Sequence, residues 1–70
     1  MLELTEALVK ALEMKYKGQM EEARVNMAVY MTNPAGIGEH PEIIEAIDTQ
    51  VAKFAEAQEK LAALDDIIDG

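Results

Sequence analysis

The sequence predicts an all-α fold, an antiparallel helical hairpin of two long helices that forms a single domain over residues 1–70. Three observations predict it. Both prolines and two of the four glycines fall in one short stretch, residues 33–41. Good helix formers such as Ala, Leu, Glu, Lys and Met dominate the chain on either side of it. Apolar residues recur there at intervals of three and four, the spacing of one helix face.

Helix 1 is predicted over about residues 3–32, because Pro34 cannot continue a helix and pushes Asn33 toward an extended backbone. It has apolar residues on two sides. The first stripe is a seven-residue repeat with flanking residues: Leu2, Val9, Tyr16, Ala23 and Tyr30, widened by Leu8, Leu12, Met20, Met27 and Met31. The second stripe consists mainly of small residues: Leu4, Ala7, Ala11, Met14, Gly18, Val25, Ala28 and Val29.

Residues 33–40 are predicted to form a loop, and helix 2 is predicted over about residues 41–68. Pro41 suits the first position of a helix, which makes His40 the expected N-cap. Helix 2 has one regular seam with alternating four- and three-residue spacing, interrupted by a single polar residue. Its members are Ile43, Ile47, Gln50, Phe54, Ala57, Leu61, Leu64 and Ile68. We expect Phe54, the only aromatic residue of this helix, to be buried.

Four polar residues lie in or beside these stripes: Gln19, Asn26, Gln50 and Gln58. Such residues can fix register and partner choice between helices at some expense of stability. Three pairs have the acid-first order that favours an i,i+4 ion pair: Glu6–Lys10, Glu13–Lys17 and Glu56–Lys60.

The second stripe of helix 1 has no partner in a lone hairpin, and large exposed apolar surfaces usually mark an interface. A chain of this size also rarely gains more than about 3–5 kcal/mol from one core. We therefore expect a homo-oligomer, most simply a dimer that forms a four-helix bundle; a higher oligomer, and parallel or antiparallel packing of the hairpins, stay open. The candidate dimer interface comprises Leu4, Ala11, Met14, Gly18, Val25, Tyr16, Met20 and Met27.

Acidic residues dominate the charge of the chain, 14 against 6 basic residues, for a formal net charge of −8. A chain of this sign is not expected to bind nucleic acid directly, since phosphate contacts come mainly from Lys and Arg. No apolar stretch is long enough to span a membrane. Glu3 and Glu6 stand where a signal peptide would have positive charge, so a cytoplasmic location is expected.

Residues with the chemistry for catalysis are scarce. The chain has no cysteine and no serine, and its one histidine, His40, is not part of a Glu-x-x-His pair. We expect no enzymatic activity, no cofactor and no metal site. Because loops carry function more often than cores do, the candidate recognition site is the loop. Its residues are Asn33, Pro34, Gly36, Ile37, Gly38 and His40.

The segment from Tyr30 to Glu42, with its Asn-Pro-x-Gly-x-Gly-Glu-His-Pro pattern, and the following Ile43–Ile47 resemble small proteins of marine cyanophage-type bacteriophages. Those proteins are uncharacterised helical hairpins. The resemblance implies a phage or a phage-infected host cytoplasm as the setting, and it implies no activity.

Two functions of different classes fit the sequence. The first is a non-enzymatic, self-associating helical hairpin that acts in protein–protein interaction. The alternative is an acidic decoy that binds the basic surface of a nucleic-acid-binding protein, because residues 39–70 hold nine acidic and only two basic residues. A small metal-dependent enzyme is a third, weaker candidate.

Overall fold

The computed structural model describes residues 2–32 and 40–69, with side chains from 4–32 and 42–69. They form two α-helices, α1 (Leu2–Thr32) and α2 (His40–Asp69), which pack against each other. The molecule measures 52 × 18 × 12 Å, and its radius of gyration of 15.9 Å exceeds the roughly 11 Å of a compact chain of this length. The predicted all-α helical hairpin is confirmed, and it has the shape of a rod.

The helix bounds differ from the predicted ones by a single residue. The first helical residue of α2 is His40 rather than Pro41, so His40 lies inside the helix instead of capping it. Pro41 still lies in the first turn, where its missing N–H removes no hydrogen bond within the helix. At the end of α1, Thr32 Oγ1 donates to the carbonyl oxygen of Ala28 at 2.8 Å. Residues 33–39, most of the predicted loop, lie outside the described residues.

The seam predicted for α2 is the face that packs on α1. Seven of its eight positions are buried or half-buried, from Ile43 to Leu64, whereas Ile68 stays 49% exposed. Phe54 was expected to be buried and is half-buried instead. One neighbouring helix covers only a narrow strip of another, so even residues in the middle of the seam keep contact with water.

The seam of α1 consists of six residues of the first predicted stripe and one charged residue that does not belong to the stripe. Half-buried or buried positions recur at four- and three-residue spacing, and Asn26 is half-buried beside them. Glu13 occupies the position between Val9 and Tyr16 and is half-buried. The seam positions are Val9, Glu13, Tyr16, Met20, Ala23, Met27 and Tyr30. The predicted flanking residues Leu8, Leu12 and Met31 are exposed.

The core of the hairpin is thin. Among the described residues the buried apolar side chains are Ala23, 1% exposed, and Ala57, 2% exposed, and no large side chain is fully buried. Small residues at these positions let the two helices approach closely. Hydrophobic stabilisation grows with the apolar area removed from water, so two alanines and several half-buried side chains contribute little.

One polar pair connects the two helices. Asn26 Nδ2 donates a hydrogen bond of 3.2 Å to Oε1 of Gln50, whose side chain is 6% exposed. A second contact lies nearer the start of α1 and the end of α2. There the Nζ atom of Lys60 lies over the ring of Tyr16, 6.0 Å from the ring centre. These two contacts define an antiparallel register, and the first joins two of the four polar residues that the sequence suggests for fixing it.

Replacing Phe54 with alanine should destabilise the hairpin by about 1.5–2.5 kcal/mol, roughly half the loss for a fully buried phenylalanine. The side chain is half-buried in the middle of the α2 seam, so truncation removes contacts without opening a closed cavity. Urea unfolding followed by circular dichroism measures the change, with Ile44→Ala as a control, since Ile44 is 71% exposed. An equal effect of the two substitutions would contradict the assigned seam.

Candidate self-association surface

The side of α1 that faces away from α2 is apolar and uncovered. We call it the outer face: Leu4, Ala7, Ala11, Met14, Gly18, Val25, Ala28 and Val29, all exposed. Its large side chains are open to water, with Leu4 61% and Met14 63% exposed. At 100° per residue these positions lie opposite the seam, so α2 cannot reach them. The outer face is therefore free for another partner.

The structure divides the predicted dimer interface between two opposite sides of α1. Leu4, Ala11, Met14, Gly18 and Val25 are exposed on the outer face. The other three predicted residues are half-buried in the seam toward α2, where a second chain has little access to them: Tyr16, Met20 and Met27. Both groups of residues recur at helical spacing, so the sequence does not tell them apart. The exposure of each side chain in the structure does.

Gly18 lies near the middle of the outer face. A Cβ atom at this position would have nothing within 4 Å, so packing inside the hairpin does not require a glycine. Glycine inside a helix is about 1 kcal/mol less favourable than alanine. Packing among the described residues therefore does not explain the glycine at position 18. A second helix, however, could approach the outer face more closely at a glycine than at a larger residue.

A polar groove lies to one side of the seam. It is open, has a volume of about 300 Å³, and is lined by Gln19, Glu22, Lys53, Glu56, Ala57 and Lys60. Lys60 Nζ lies 3.2 Å from Oε1 of Glu56, which confirms one of the three i,i+4 ion pairs expected from the sequence. The other two, Glu6–Lys10 and Glu13–Lys17, do not form among the described residues. Two acidic and two basic side chains balance each other here.

Arg24 and Glu21 form a bidentate ion pair on the exposed surface of α1. Arg24 Nε donates to Glu21 Oε1 at 3.0 Å, and Nη2 donates to Oε2 at 2.5 Å. These hydrogen bonds, aided by the positive charge, lower the pKa of Glu21 below its usual range, although desolvation opposes the shift. A lowered pKa in the folded chain means that the stabilisation is present at neutral pH. It is lost as the pH falls through that folded pKa.

Replacing Arg24 with glutamine should raise the pKa of the Glu21 carboxyl group toward its ordinary value. The substitution removes the donor and the charge that favour the ionised form. Carbon-detected NMR titration of the side-chain carboxyl measures this directly. The stability change should be small, since both side chains are exposed. A Glu21 pKa that is the same in both proteins would show that the ion pair does not persist in solution.

The remaining predictions from the sequence concern a metal site, a membrane span and the recognition loop. Within residues 4–32 and 42–69, no three side chains of His, Cys, Asp or Glu lie close enough together to hold a metal ion. In the same part of the chain, no helix has both the length and the apolar content needed to cross a membrane. The candidate recognition residues Asn33, Pro34, Gly36, Ile37 and Gly38 lie outside the described residues, as does the side chain of His40.

Comparisons with protein-family models, with curated proteins and with solved structures give no match to this chain. The similarity to cyanophage proteins therefore stays a prediction from the loop pattern. The outer face of α1 is the feature from which a function can be argued.

Proposed function

We propose that the chain is a non-enzymatic helical hairpin that associates with a second copy of itself and acts in protein–protein interaction. The observation that supports this is the pairing of a thin core with a long uncovered apolar face. The buried apolar side chains of the described hairpin are two alanines. The outer face, in contrast, exposes leucine, methionine and valine side chains along most of α1. Association would bury this face and add the apolar area that the lone hairpin lacks.

Charge favours the outer face of α1 over the surface of α2 as the contact between copies. Described residues of α1 comprise five acidic and four basic residues, a net charge of −1. Those of α2 comprise eight acidic and two basic residues, a net charge of −6 with neutral histidine. Two α2 surfaces would repel each other at close range, whereas two α1 surfaces are nearly neutral. The resulting dimer has four helices.

Sedimentation velocity across micromolar concentrations tests the proposal. We expect the mass to rise with concentration from 7.7 kDa toward twice that value. Val25→Gln should weaken association about tenfold or more, since each dimer loses two apolar contacts. Val51→Gln is the matched control, because Val51 is as exposed as Val25 but lies on α2. A well-folded monomer at every concentration would refute the proposal.

The second candidate, the acidic decoy, is favoured by the exposed carboxylates of α2. Glu45, Asp48, Glu56 and Glu59 are all exposed, and Lys53 and Lys60 are the only basic residues of that helix. Affinity capture of basic nucleic-acid-binding proteins from a cell lysate tests it. Capture that weakens strongly as salt is raised supports the decoy, and capture that is insensitive to salt opposes it.

A further inference from the structure

The outer face of α1 is self-complementary about Gly18. Its central row consists of exposed positions at seven-residue intervals: Leu4, Ala11, Gly18, Val25 and Thr32. If a second α1 is laid antiparallel on the first with Gly18 on the two-fold axis, positions equidistant from Gly18 face each other. Ala11 then meets Val25 of the second copy, and the two glycines meet at the centre, where the backbones can approach most closely.

A row of residues along one edge of the outer face adds charges of opposite sign at matching positions. The row consists of Leu8, Lys15, Glu22 and Val29, all exposed. In the antiparallel arrangement Leu8 faces Val29 of the second copy, and Lys15 faces Glu22 of the second copy. The two-fold axis repeats both contacts, so each dimer gains two ion pairs. In a parallel arrangement this row would instead face the opposite flanking row of the second copy, Ala7, Met14, Glu21 and Ala28, so Lys15 and Glu22 would not meet each other.

Neither Lys15 nor Glu22 forms an ion pair with another of the described residues of the hairpin. Neither has an opposite charge three or four residues away in the sequence. They are about 10.5 Å apart along the helix axis, too far to pair with each other. The ion pairs found among the described residues join Glu21 to Arg24 and Glu56 to Lys60, and leave these two charges unused. Lys53 lines the groove beside Glu22 but forms no ion pair there.

The other flanking row of the outer face is compatible with the same register. Ala7 faces Ala28 of the second copy, where small residues on both sides allow close approach, and Met14 faces Glu21 of the second copy. Glu21 of this row keeps its ion pair with Arg24 and needs no partner from the second copy.

We propose that two copies associate through the outer faces of α1, antiparallel, with the two-fold axis at Gly18 and ion pairs between Lys15 and Glu22 across it. This rests on the proposed self-association and specifies its geometry. The outer face lies opposite the seam, so the four helices stand side by side in the order α2, α1, α1, α2. The two acidic α2 helices are then as far apart as the assembly permits.

Charge reversal tests the register. Lys15→Glu and Glu22→Lys should each weaken association about tenfold, because each turns two attractions into two repulsions. The double variant should associate nearly as well as the original chain. An equimolar mixture of the two single variants should form heterodimers. Lys53→Glu and Glu59→Lys are matched controls for the change in net charge, and circular dichroism confirms folding of every variant.

Cysteine cross-linking gives an independent measurement, because the chain has no cysteine of its own. Gly18→Cys should form a disulfide-linked dimer on mild oxidation, since a residue on a two-fold axis meets itself. Leu4→Cys should not, whereas a Leu4→Cys chain should cross-link to a Thr32→Cys chain.

The outcomes separate this proposal from the proposed function. If the original chain sediments only as a monomer, both fail. If it dimerises but the charge reversals behave like their controls, or if Leu4→Cys cross-links to itself, self-association stands and the antiparallel register is wrong.

Discussion

Replacing Ala57 with leucine should destabilise the hairpin by about 1–3 kcal/mol, the usual penalty for adding methylene groups to a packed contact. Ala57 is 2% exposed and lies in the seam of α2 that packs on α1. A leucine there must push the helices apart, and this separation weakens the neighbouring contacts along the seam. Thermal and urea unfolding followed by circular dichroism measure the loss.

Ala63→Leu is the matched control for this experiment. Ala63 is exposed on the same helix, so the same chemical change should leave the free energy of unfolding nearly unaltered. If both leucines change stability equally, Ala57 does not lie at a close contact in solution and the register of α2 on α1 must be redrawn.

Replacing Asn26 with leucine should cost about 1–3 kcal/mol, because it leaves the amide of Gln50 buried without its partner. The double variant Asn26→Leu/Gln50→Leu should regain this loss and reach or exceed the stability of the original chain, since an apolar pair has no polar group to desolvate. The four proteins of the double-mutant cycle together measure the coupling energy between the two side chains.

Additive effects of the two substitutions would contradict the hydrogen bond between the helices. The stabilised double variant has a second use. With the polar pair gone, the seam contains fewer features that distinguish one register from another shifted by seven residues. We expect broader amide signals in its NMR spectrum than in that of the original chain.

The sequence predicts the helices and the α2 seam well, because both follow from local rules. Pro34 and Pro41 bracket the break between the helices, and seven of the eight predicted α2 positions lie toward α1. Asn26 and Gln50 are two of the four polar residues that the sequence places in or beside apolar stripes; their pairing is not predicted, and the other two, Gln19 and Gln58, are exposed. These features depend on spacing along one helix, which can be read without knowledge of the partner.

The α1 surfaces are harder to assign from the sequence. Two apolar stripes share this helix, and periodicity alone does not say which of them meets α2, so the predicted interface combined residues of both. Glu13 was missed because a charged residue interrupts the apolar pattern at a seam position. The choice between the stripes depends on contacts between residues distant in the chain, in particular on Ala23 fitting against α2 at close range.

The uneven burial along the rod has a consequence for how the hairpin opens. The buried side chains Ala23 and Gln50 lie in the part of the rod nearer the connection between the helices, and Ala57 lies near the middle of the rod. At the other end, Leu8 and Ile68 are exposed, so separating the first turns of α1 from the last turns of α2 uncovers little new apolar area. The hairpin should therefore unzip from that end in small local openings, far below the free energy of complete unfolding. A protease would meet these turns as transiently accessible chain long before the central contacts release.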